Sequence, residues 1–519
     1  MFRQSVSIGV VGASRSCFLI ESCRNRLVAV RDACRRLGIN VGFTSSTDPR
    51  LVFEDVEGAE KAASWVIDVG YGAAVLYLGN FSPEKPDAVF VRMMNEKHIP
   101  VMVAAAAEES VEGIRVADDG TCNRGDALCG LLSCNYNLMM GKLVDYYIPS
   151  SPVGTPDEIA RSIGHFAAVV ATCNALRKAH IGIIGGRPDD FVTCETAEGP
   201  LRRLGVRVSL LKFPDMQEAV KKAAGDKEWV WRILAEMKQD LAEMKQEPVR
   251  AIGNGDDEFM MRLAAYELAL RTLAKKHGFT AIAAECWPLF EGMFGHVPCY
   301  VNSRMDASGL PASCEGDGYG AWTQIACQAA SDNCTTLLDI NHSIPDGVVP
   351  PDSSNPIPKG DLLGLFHCGR TPLCKMAAGA ALKHQLIMAR LMEPGKKPDI
   401  TRGTLEGRIA ASDITLVRLH PNPADGMLQA YIAEGEFLDV DPQTFGGVGV
   451  ARIQDFQRFY RWAMLANGFP HHGAVAFNHC GSVLFDAFRM LGIPAQRIHF
   501  PLGPGHLYPG QNPFTMLQA

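Results

Sequence analysis

The sequence predicts an α/β protein with two doubly wound α/β domains built on parallel sheets, followed by a C-terminal domain containing an antiparallel β-barrel. Strand and helix patterns alternate in the first third of the chain, and the same alternation restarts near residue 181. After about residue 399, short strand patterns are separated by Gly, Asp and Pro. A chain of 519 residues suits about three domains of roughly 150 residues. We place these domains at 1–176, 177–330 and 331–519.

The first domain begins with a buried strand at residues 7–11, which ends in a glycine-containing turn. A helical pattern follows at 20–37. Further strands are expected at 40–43, 73–77 and 101–104. Strands separated by helices at this spacing predict a parallel sheet, because each parallel connection needs a crossover. Ligands of such sheets bind beyond the carboxyl ends of the strands, so Arg15, in the turn after the first strand, is a candidate ligand contact.

The start of the second domain is indicated by a polar segment at 149–156, a helix at 157–180 and a new strand at 181–184. The sequence pattern of the C-terminal region is different. Alternating runs indicate antiparallel β-structure and a small barrel, and they lie at 414–418, 427–432 and 448–450. A helix over 477–491 follows them.

Composition narrows the class of function. A formal charge of −7 and a pI near 6.1 argue against a nucleic-acid-binding surface and against attachment to an anionic membrane. No run reaches the ~18 apolar residues that a membrane span needs. The 16 cysteines include no CxxC pair, which favours packing thiols in the reducing cytoplasm. The expected partner is therefore a small molecule.

Two acidic positions stand 24 residues apart, with a predicted helix at 318–331 and a strand at 334–340 between them. Glu315 precedes the helix and Asp339 lies near the end of the strand. A helix followed by a strand can double back and bring its two ends together, which would place both carboxylates in one site. Simpler roles stay open: Glu315 or Asp317 can cap the helix, and Asp339 can be a turn residue.

Three histidines surround a short apolar run near the C-terminus: His471 and His472 precede it and His479 follows it. Two carboxylates and an imidazole from separate elements would make a divalent-metal site with positions left open for substrate. Oxygen-rich ligation with one imidazole suits Mn²⁺ or Mg²⁺, whereas thiolates would favour zinc. His367 is a further candidate for contacting substrate.

Five short segments of the sequence together resemble the L-fucose isomerase family, which is related in fold to L-arabinose isomerase. These segments are 294–299, 314–317, 338–339, 366–369 and 471–473. The resemblance implies two α/β domains, a C-terminal domain with a β-barrel, and manganese held by Glu315, Asp339 and His472. It implies that both carboxylates take part in proton transfer. It also implies a homo-oligomer, a hexamer or trimer, in which the first domain can cover a neighbour's site, with Arg15 as the candidate residue.

The predicted activity is the interconversion of an aldose and a ketose by moving a proton between C1 and C2 through an enediol. Either Glu315 or Asp339 can be the base, and His367 and His479 are predicted substrate contacts. A second hypothesis keeps this chemistry on an acidic or sulfonated sugar, since Arg15, Arg304 and Arg370 can bind an anion. A third is a non-catalytic sugar-binding protein on the same fold.

Overall fold

The structure is a computed structural model of the chain. It describes residues 2–501 apart from 46–47, 117, 119–121, 123, 144, 244–256, 352–355 and 387–400. The chain forms two compact units, an N-terminal unit (4–171) and a C-terminal unit (1–3 with 172–519). The three predicted domains stay a prediction, and positions 502–519 of the last one lie outside the described residues.

The N-terminal unit is built on one parallel sheet of order β2-β1-β4-β5-β6, in which β3 also pairs with β1. Its strands are β1 (Ile8–Ala13), β2 (Val41–Gly42), β3 (Val52–Phe53), β4 (Ala73–Leu78), β5 (Val101–Ala106) and β6 (Val153–Gly154). Its helices are α1 (Ile20–Arg36), α2 (Val56–Val69), α3 (Glu84–Glu96), α4 (Val111–Ile114), α5 (Ala127–Met140) and α6 (Pro156–Arg177). The predicted parallel α/β organisation of the first third is confirmed.

Residue spacing explains how α1 packs. It buries one helical face, made of Cys23, Leu27, Val30, Ala33 and Cys34. These positions recur at intervals of three and four residues, so they lie on one side of the helix. Every residue of β1, β4 and β5 is buried, as expected for parallel strands covered on both faces.

The C-terminal unit contains a second parallel sheet of order β10-β9-β7-β8. Its strands are β7 (His180–Ile184), β8 (Arg207–Leu211), β9 (Ala281–Ala284) and β10 (Ala312–Cys314). The helices of this region are α7 (Glu198–Arg203), α8 (Phe213–Gly225), α9 (Lys227–Glu243), α10 (Asp257–His277), α11 (Leu289–Phe294), α12 (Cys299–Ala307) and α13 (Gly318–Ser331). The predicted second parallel sheet is thus confirmed.

A larger mixed sheet completes the C-terminal unit. Its strands are β11 (Thr335–His342), β12 (Leu362–His367), β13 (Ala381–His384), β14 (Arg402–Arg408), β15 (Ser412–Pro421), β16 (Leu428–Phe437), β17 (Gly447–Arg452), β18 (His472–Ala476) and β19 (Ile498–His499). Antiparallel pairings join β17, β12, β11, β18, β15 and β16 in that order, and β16 pairs back to β17. Helices α14 (Phe456–Phe459) and α15 (Gly481–Met490) flank β18 in sequence.

That closed ring of antiparallel strands lies in the region where the barrel was predicted, and the barrel itself stays a prediction. Two parallel pairings extend the ring: β14 with β17 and β16 with β19. The apolar faces of the ring share one core with the helices α8, α9 and α10.

One described helix, α6, is long and apolar enough by length and composition to cross a membrane. However, 61% of its most apolar window is buried inside the protein. A mostly buried helix of this kind is typical of a protein core, so the observation is weak support for a membrane span.

Candidate functional site

Strand register brings the two distant clusters together. In the antiparallel pairing of β11 with β18, Asp339 lies directly opposite His472. Directly opposed residues of an antiparallel pair project from the same face, about 5 Å apart. On its other side β11 pairs with β12, where Asp339 lies opposite Phe366. The register therefore places Asp339 beside His472 and near His367, the residue that ends β12.

Glu315 reaches the same place through an unusual backbone conformation. It follows β10 with a φ of 59°, in the left-handed region that side-chain-bearing residues seldom adopt, and Gly316 follows with a φ of 68°. Asp317 then caps α13 by accepting a hydrogen bond of 2.8 Å from the backbone N–H of Gly320. Strain of this kind persists where the surroundings enforce it and is often found at functional sites.

Gly316 is required by space as well as by conformation. A Cβ at this position would overlap the carbonyl oxygen of Gly186. We expect Gly316→Ala to destabilise the protein by about 3 kcal/mol or more and to displace Glu315. Gly295 is the matched control, since it has the same φ of +68° and no atom lies within 4 Å of the place that a Cβ would take. Chemical denaturation of both variants tests this, and equal losses for the two would mean that the loop accommodates the methyl group.

Three polar atoms converge at the centre of the cluster. His472 Nε2 lies 3.4 Å from Glu315 Oε2 and 3.3 Å from Asp339 Oδ1. Within the described part of the chain, neither Nε2 nor Asp339 Oδ1 has a hydrogen-bond partner, although both atoms are buried. Buried polar atoms without partners are rare in folded proteins. Their convergence is the arrangement that a bound cation would satisfy.

The other nitrogen of His472 explains why a cation fits. Nδ1 lies 2.9 Å from Asp317 Oδ2, and because a carboxylate accepts, Nδ1 carries the proton. In the neutral ring, Nε2 then directs its lone pair at two carboxylate oxygens. Asp317 is itself held by Arg418, at 2.6 and 2.9 Å, and both residues are fully buried. A carboxylate that orients a metal-binding histidine in this way is a recurring feature of metal sites.

The charges of the cluster act strongly on its ionisable groups. Burial would raise the pKa of Glu315, but the nearby imidazole of His472, with the neighbouring histidines, lowers it to about 2. Burial would lower the pKa of His472, but its contacts with Asp317, Cys194 and Glu315 raise it above its ordinary value. Glu315 is therefore ionised at neutral pH, and a proton and a cation compete for His472.

Two more histidines border the cluster. The ring of His367 lies 5.6 Å from that of His472, and its Nδ1 accepts a 2.9 Å hydrogen bond from the backbone N–H of Cys368. The neutral ring of His367 therefore carries its proton on Nε2, a buried atom that makes no hydrogen bond within the described residues. His471 Nε2 lies 3.9 Å from Glu315 Oε2 and 3.8 Å from Asp339 Oδ1, and its side chain is 35% exposed. His471 marks the open side of the cluster.

The arginines of the C-terminal unit that were considered as anion contacts are engaged in ion pairs. Arg370 is fully buried and donates to Asp306 at 2.6 Å and to Gln324 at 3.3 Å. Arg304 pairs with the carboxylates of Glu236, Asp240 and Glu267. A substrate contact through Arg370 stays a prediction, and the structure shows this residue as the partner of a buried carboxylate.

The structure does not bring His479 into the cluster. Seven positions and strand β18 separate it from His472, roughly 15 Å or more along an extended chain, and its Nε2 contacts the carbonyl oxygen of Gly435 at 3.0 Å. Arg15 belongs to the N-terminal unit. There its guanidinium donates to the carbonyl oxygens of Phe81 and Ser82 at 3.1 and 2.8 Å. Substrate contacts through His479 and Arg15 stay predictions.

Sequence reasoning gave Asp317 a capping role and did not single out Arg418 or Cys194. The Glu-Gly-Asp spacing was the signal for Asp317, since it sets a second carboxylate two residues after Glu315. The other two had no local signal. Cys194 Sγ lies 3.8 Å from Glu315 Oε2 across 121 residues of chain. Candidate metal-ligand groups are Cys194 with Glu315, His471 and His472, and Asp339 with His367 and His472.

Comparison with known proteins adds two domain matches. Residues 9–177 match the family described as "Fucose/sulfoquinovose isomerase, N-terminal domain", and residues 365–499 match "L-fucose isomerase, C-terminal domain". No curated protein sequence matches the chain significantly. Among solved structures, a galactofuranose binding protein matches with 8% identity and a TM-score of 0.16, over 63% of this chain and 90% of that chain. A score that low carries no argument about the fold.

The two domain matches support a sugar isomerase of the aldose–ketose type. The chain belongs to the L-fucose isomerase family.

Proposed function

We propose that this protein is a metal-dependent aldose–ketose isomerase that moves a proton between C1 and C2 of a sugar, with its active site at the Glu315–Asp339–His472 cluster. The observation that carries the proposal is the convergence of Asp339 Oδ1 and Glu315 Oε2 on His472 Nε2 at 3.3 and 3.4 Å. Two carboxylate oxygens and one imidazole nitrogen therefore face a common space, which a cation can fill in competition with a proton on Nε2. We also propose the division into three domains, the small barrel in the last of them, and a cytoplasmic location.

Glu315, Asp339 and His472 would hold the cation, with Mn²⁺ as the proposed ion and Mg²⁺ or another divalent ion as the alternative. Two carboxylate oxygens and one imidazole suit such hard ions. When bound there, the cation supplies positive charge that makes the sugar carbon beside the carbonyl more acidic. Asp317, held by Arg418, keeps the Nδ1 proton of His472 in place and so keeps Nε2 available as a ligand.

The carboxylates are also the proposed proton carriers. Glu315 is ionised over the whole neutral range, since its pKa is lowered to about 2, and Asp339 has a buried oxygen without a hydrogen-bond partner in the described structure. Either can take the proton from C2 and return it at C1. His367 has a buried Nε2–H without a hydrogen-bond partner in the described structure and lies beside His472, so it is the proposed donor to a sugar oxygen as charge develops there.

Metal removal tests this function directly. Protein stripped with a chelator should lose ketose formation from a panel of aldoses by at least about a hundredfold, and added Mn²⁺ should restore it. The panel should hold L-fucose, D-arabinose, L-arabinose and hexoses with an anionic C6 group. Undiminished turnover after stripping would contradict metal dependence, and sugar affinity without turnover in the metal-loaded protein would favour a binding protein.

The class of sugar is the second open choice. An acidic or sulfonated substrate would need a cationic contact, and the family that matches the N-terminal region includes sulfoquinovose isomerases in its name. Arg304 and Arg370 are both committed to carboxylates of the chain itself, which favours a neutral sugar for contacts made by the C-terminal unit. Arg15→Met separates the neutral-sugar and anionic-sugar alternatives. A loss of turnover confined to anionic sugars would mean that Arg15 binds their anionic group.

The proposed homo-oligomer, a hexamer or trimer, has a candidate contact face on α5. The side chains of one stripe are between 61 and 69% exposed although apolar, and they are Leu128, Leu132, Tyr136, Met139 and Met140. Exposed apolar stripes of this kind usually mark interfaces. We expect Leu132→Glu to shift sedimentation toward smaller species, whereas Leu37→Glu, at an exposed leucine outside this stripe, should leave the assembly intact. An unchanged assembly in Leu132→Glu would place the interface elsewhere.

A further inference from the structure

Cys194 lies against the cluster and has no part in the mechanism proposed above. The thiol is 1% exposed. Its Sγ lies 3.8 Å from Glu315 Oε2 and 3.8 Å from His472 Nδ1. The short helical turn that carries it, Val192–Cys194, also positions His471, because Thr193 Oγ1 lies 3.3 Å from His471 Nδ1. One turn therefore delivers a sulfur ligand and orients an imidazole.

Four candidate ligand atoms lie close to one another on this side of the cluster. Cys194, Glu315, His471 and His472 each offer one atom, and all four atoms lie within 4.8 Å of one another. Glu315 Oε2 is 3.4 Å from His472 Nε2, 3.9 Å from His471 Nε2 and 3.8 Å from Cys194 Sγ. Tetrahedral zinc, with bonds of about 2.0–2.3 Å, requires ligand atoms roughly 3.3–3.8 Å apart. Small side-chain movements would close the difference.

We propose that Cys194, Glu315, His471 and His472 form a second, sulfur-containing ligand set that binds a thiophilic divalent cation, Zn²⁺ or Cd²⁺. A thiolate selects such ions over Mn²⁺, and zinc already exceeds manganese in intrinsic affinity for nitrogen and oxygen ligands. As the metal–sulfur bond forms, the Cys194 thiol releases its proton to solvent, so the step is balanced by one proton.

This second set excludes the proposed catalytic one. Both sets use Glu315 and His472, so one cation at a time can be held. Four protein ligands complete a tetrahedral shell and leave no position for a sugar, whereas the set of Glu315, Asp339 and His472 leaves positions open. Inhibition of isomerase activity by the thiophilic ion rests on the proposed function, but binding of that ion does not.

Another pair of thiols offers the competing site. Cys334 Sγ and Cys374 Sγ lie 3.8 Å apart, and Cys374 is exposed. Cys374→Ser is therefore the matched control, since it removes one thiol from a pair outside the cluster. The two sites differ in sulfur count, because the cluster supplies one thiolate and the pair supplies two.

The test is a Cd²⁺ titration of the chelator-treated full-length protein, followed by the near-ultraviolet charge-transfer band of the cadmium–thiolate bond. We expect one cadmium per chain at the highest-affinity site, with at least about tenfold weaker binding in Cys194→Ser and no change in Cys374→Ser. A band lost in Cys374→Ser and kept in Cys194→Ser would overturn the inference.

Unmodified protein provides a second readout that does not depend on the folding of a variant. The ¹¹³Cd chemical shift reports how many thiolates bind the metal, and a single thiolate is expected; two would assign the metal to the Cys334–Cys374 pair and overturn the inference. The titration needs no turnover. A one-thiolate cadmium site in a protein without isomerase activity would contradict the proposed function and leave this inference standing. Mn²⁺-dependent activity without such a cadmium site would contradict this inference and leave the proposed function standing.

Discussion

Replacing Glu315 with glutamine should lower kcat/KM for aldose isomerisation by at least about a thousandfold. The substitution keeps the shape of the side chain and removes the charge that lies 3.4 Å from His472 Nε2. It therefore removes a proposed metal ligand and one of the two candidate bases together. Steady-state assays with saturating Mn²⁺, beside a direct measurement of Mn²⁺ affinity, separate loss of metal from loss of proton transfer.

Glu198→Gln is the control for this variant, since Glu198 is an exposed carboxylate that pairs with Arg202 on α7. Its activity should stay within about twofold of the unmodified protein, because exposed ion pairs contribute little. Retention of more than a tenth of the activity in metal-loaded Glu315→Gln would remove Glu315 from the site.

The parallel variant Asp339→Asn decides which carboxylate is the base. The base is the group whose loss stops exchange of the C2 hydrogen with solvent while metal is still bound. If Asp339→Asn retains Mn²⁺ and loses exchange, Asp339 is the base and Glu315 serves mainly as a ligand. The opposite pattern assigns the proton transfer to Glu315.

The second large effect is expected at Asp317, which touches no substrate. Asp317→Asn should weaken Mn²⁺ binding by about 10–100-fold, because the carboxylate that orients His472 is lost. It should also destabilise the protein by about 3–5 kcal/mol, because Arg418 is left buried without its ionic partner. Asparagine still caps helices, so the start of α13 should survive. Metal titration and chemical denaturation measure the two effects separately.

A double variant shows whether the two effects have separate causes. Asp317→Asn with Arg418→Met removes both charges of the buried pair, so most of the stability should return while Mn²⁺ affinity stays low. Asp306→Asn is the control, since it breaks the buried pair with Arg370 but does not touch His472. It should cost comparable stability and leave Mn²⁺ affinity within about threefold. Recovery of affinity in the double variant would mean that Asp317 acts through stability alone.

Local patterns predicted part of the regular elements. The helix expected at 318–331 is α13, and the strand expected at 334–340 is β11, shifted by a residue or two. Such elements are predictable because hydrophobic periodicity is a property of neighbouring residues. The two-residue strands β3 and β6 were not predicted, since so short a segment carries no period and pairs only because a sheet edge is present.

The candidate site was predictable in part. Glu315, Asp339 and His472 were named from clusters and from the family resemblance. The pairing of β11 with β18 brings Asp339 to His472, and the turn after β10 brings Glu315 to the same place. Arg418 could not be named, because its contact with Asp317 spans 101 residues of chain. Arg370 was expected to face substrate, and its burial beside Asp306 is visible only when α12 is packed in place.

The sequence by itself determined the parallel α/β organisation and the residue types that a divalent-metal site needs, because both depend on local pattern and side-chain chemistry. Only the tertiary structure decided the role of each charged group. Glu315 and Asp317 stand two residues apart, yet one faces His472 Nε2 and the other holds Nδ1. This division arises from the left-handed turn at Glu315 and Gly316 and from the buried guanidinium of Arg418. Ionisation and pairing depend on which groups are withdrawn from water together, and that is settled only when distant segments pack.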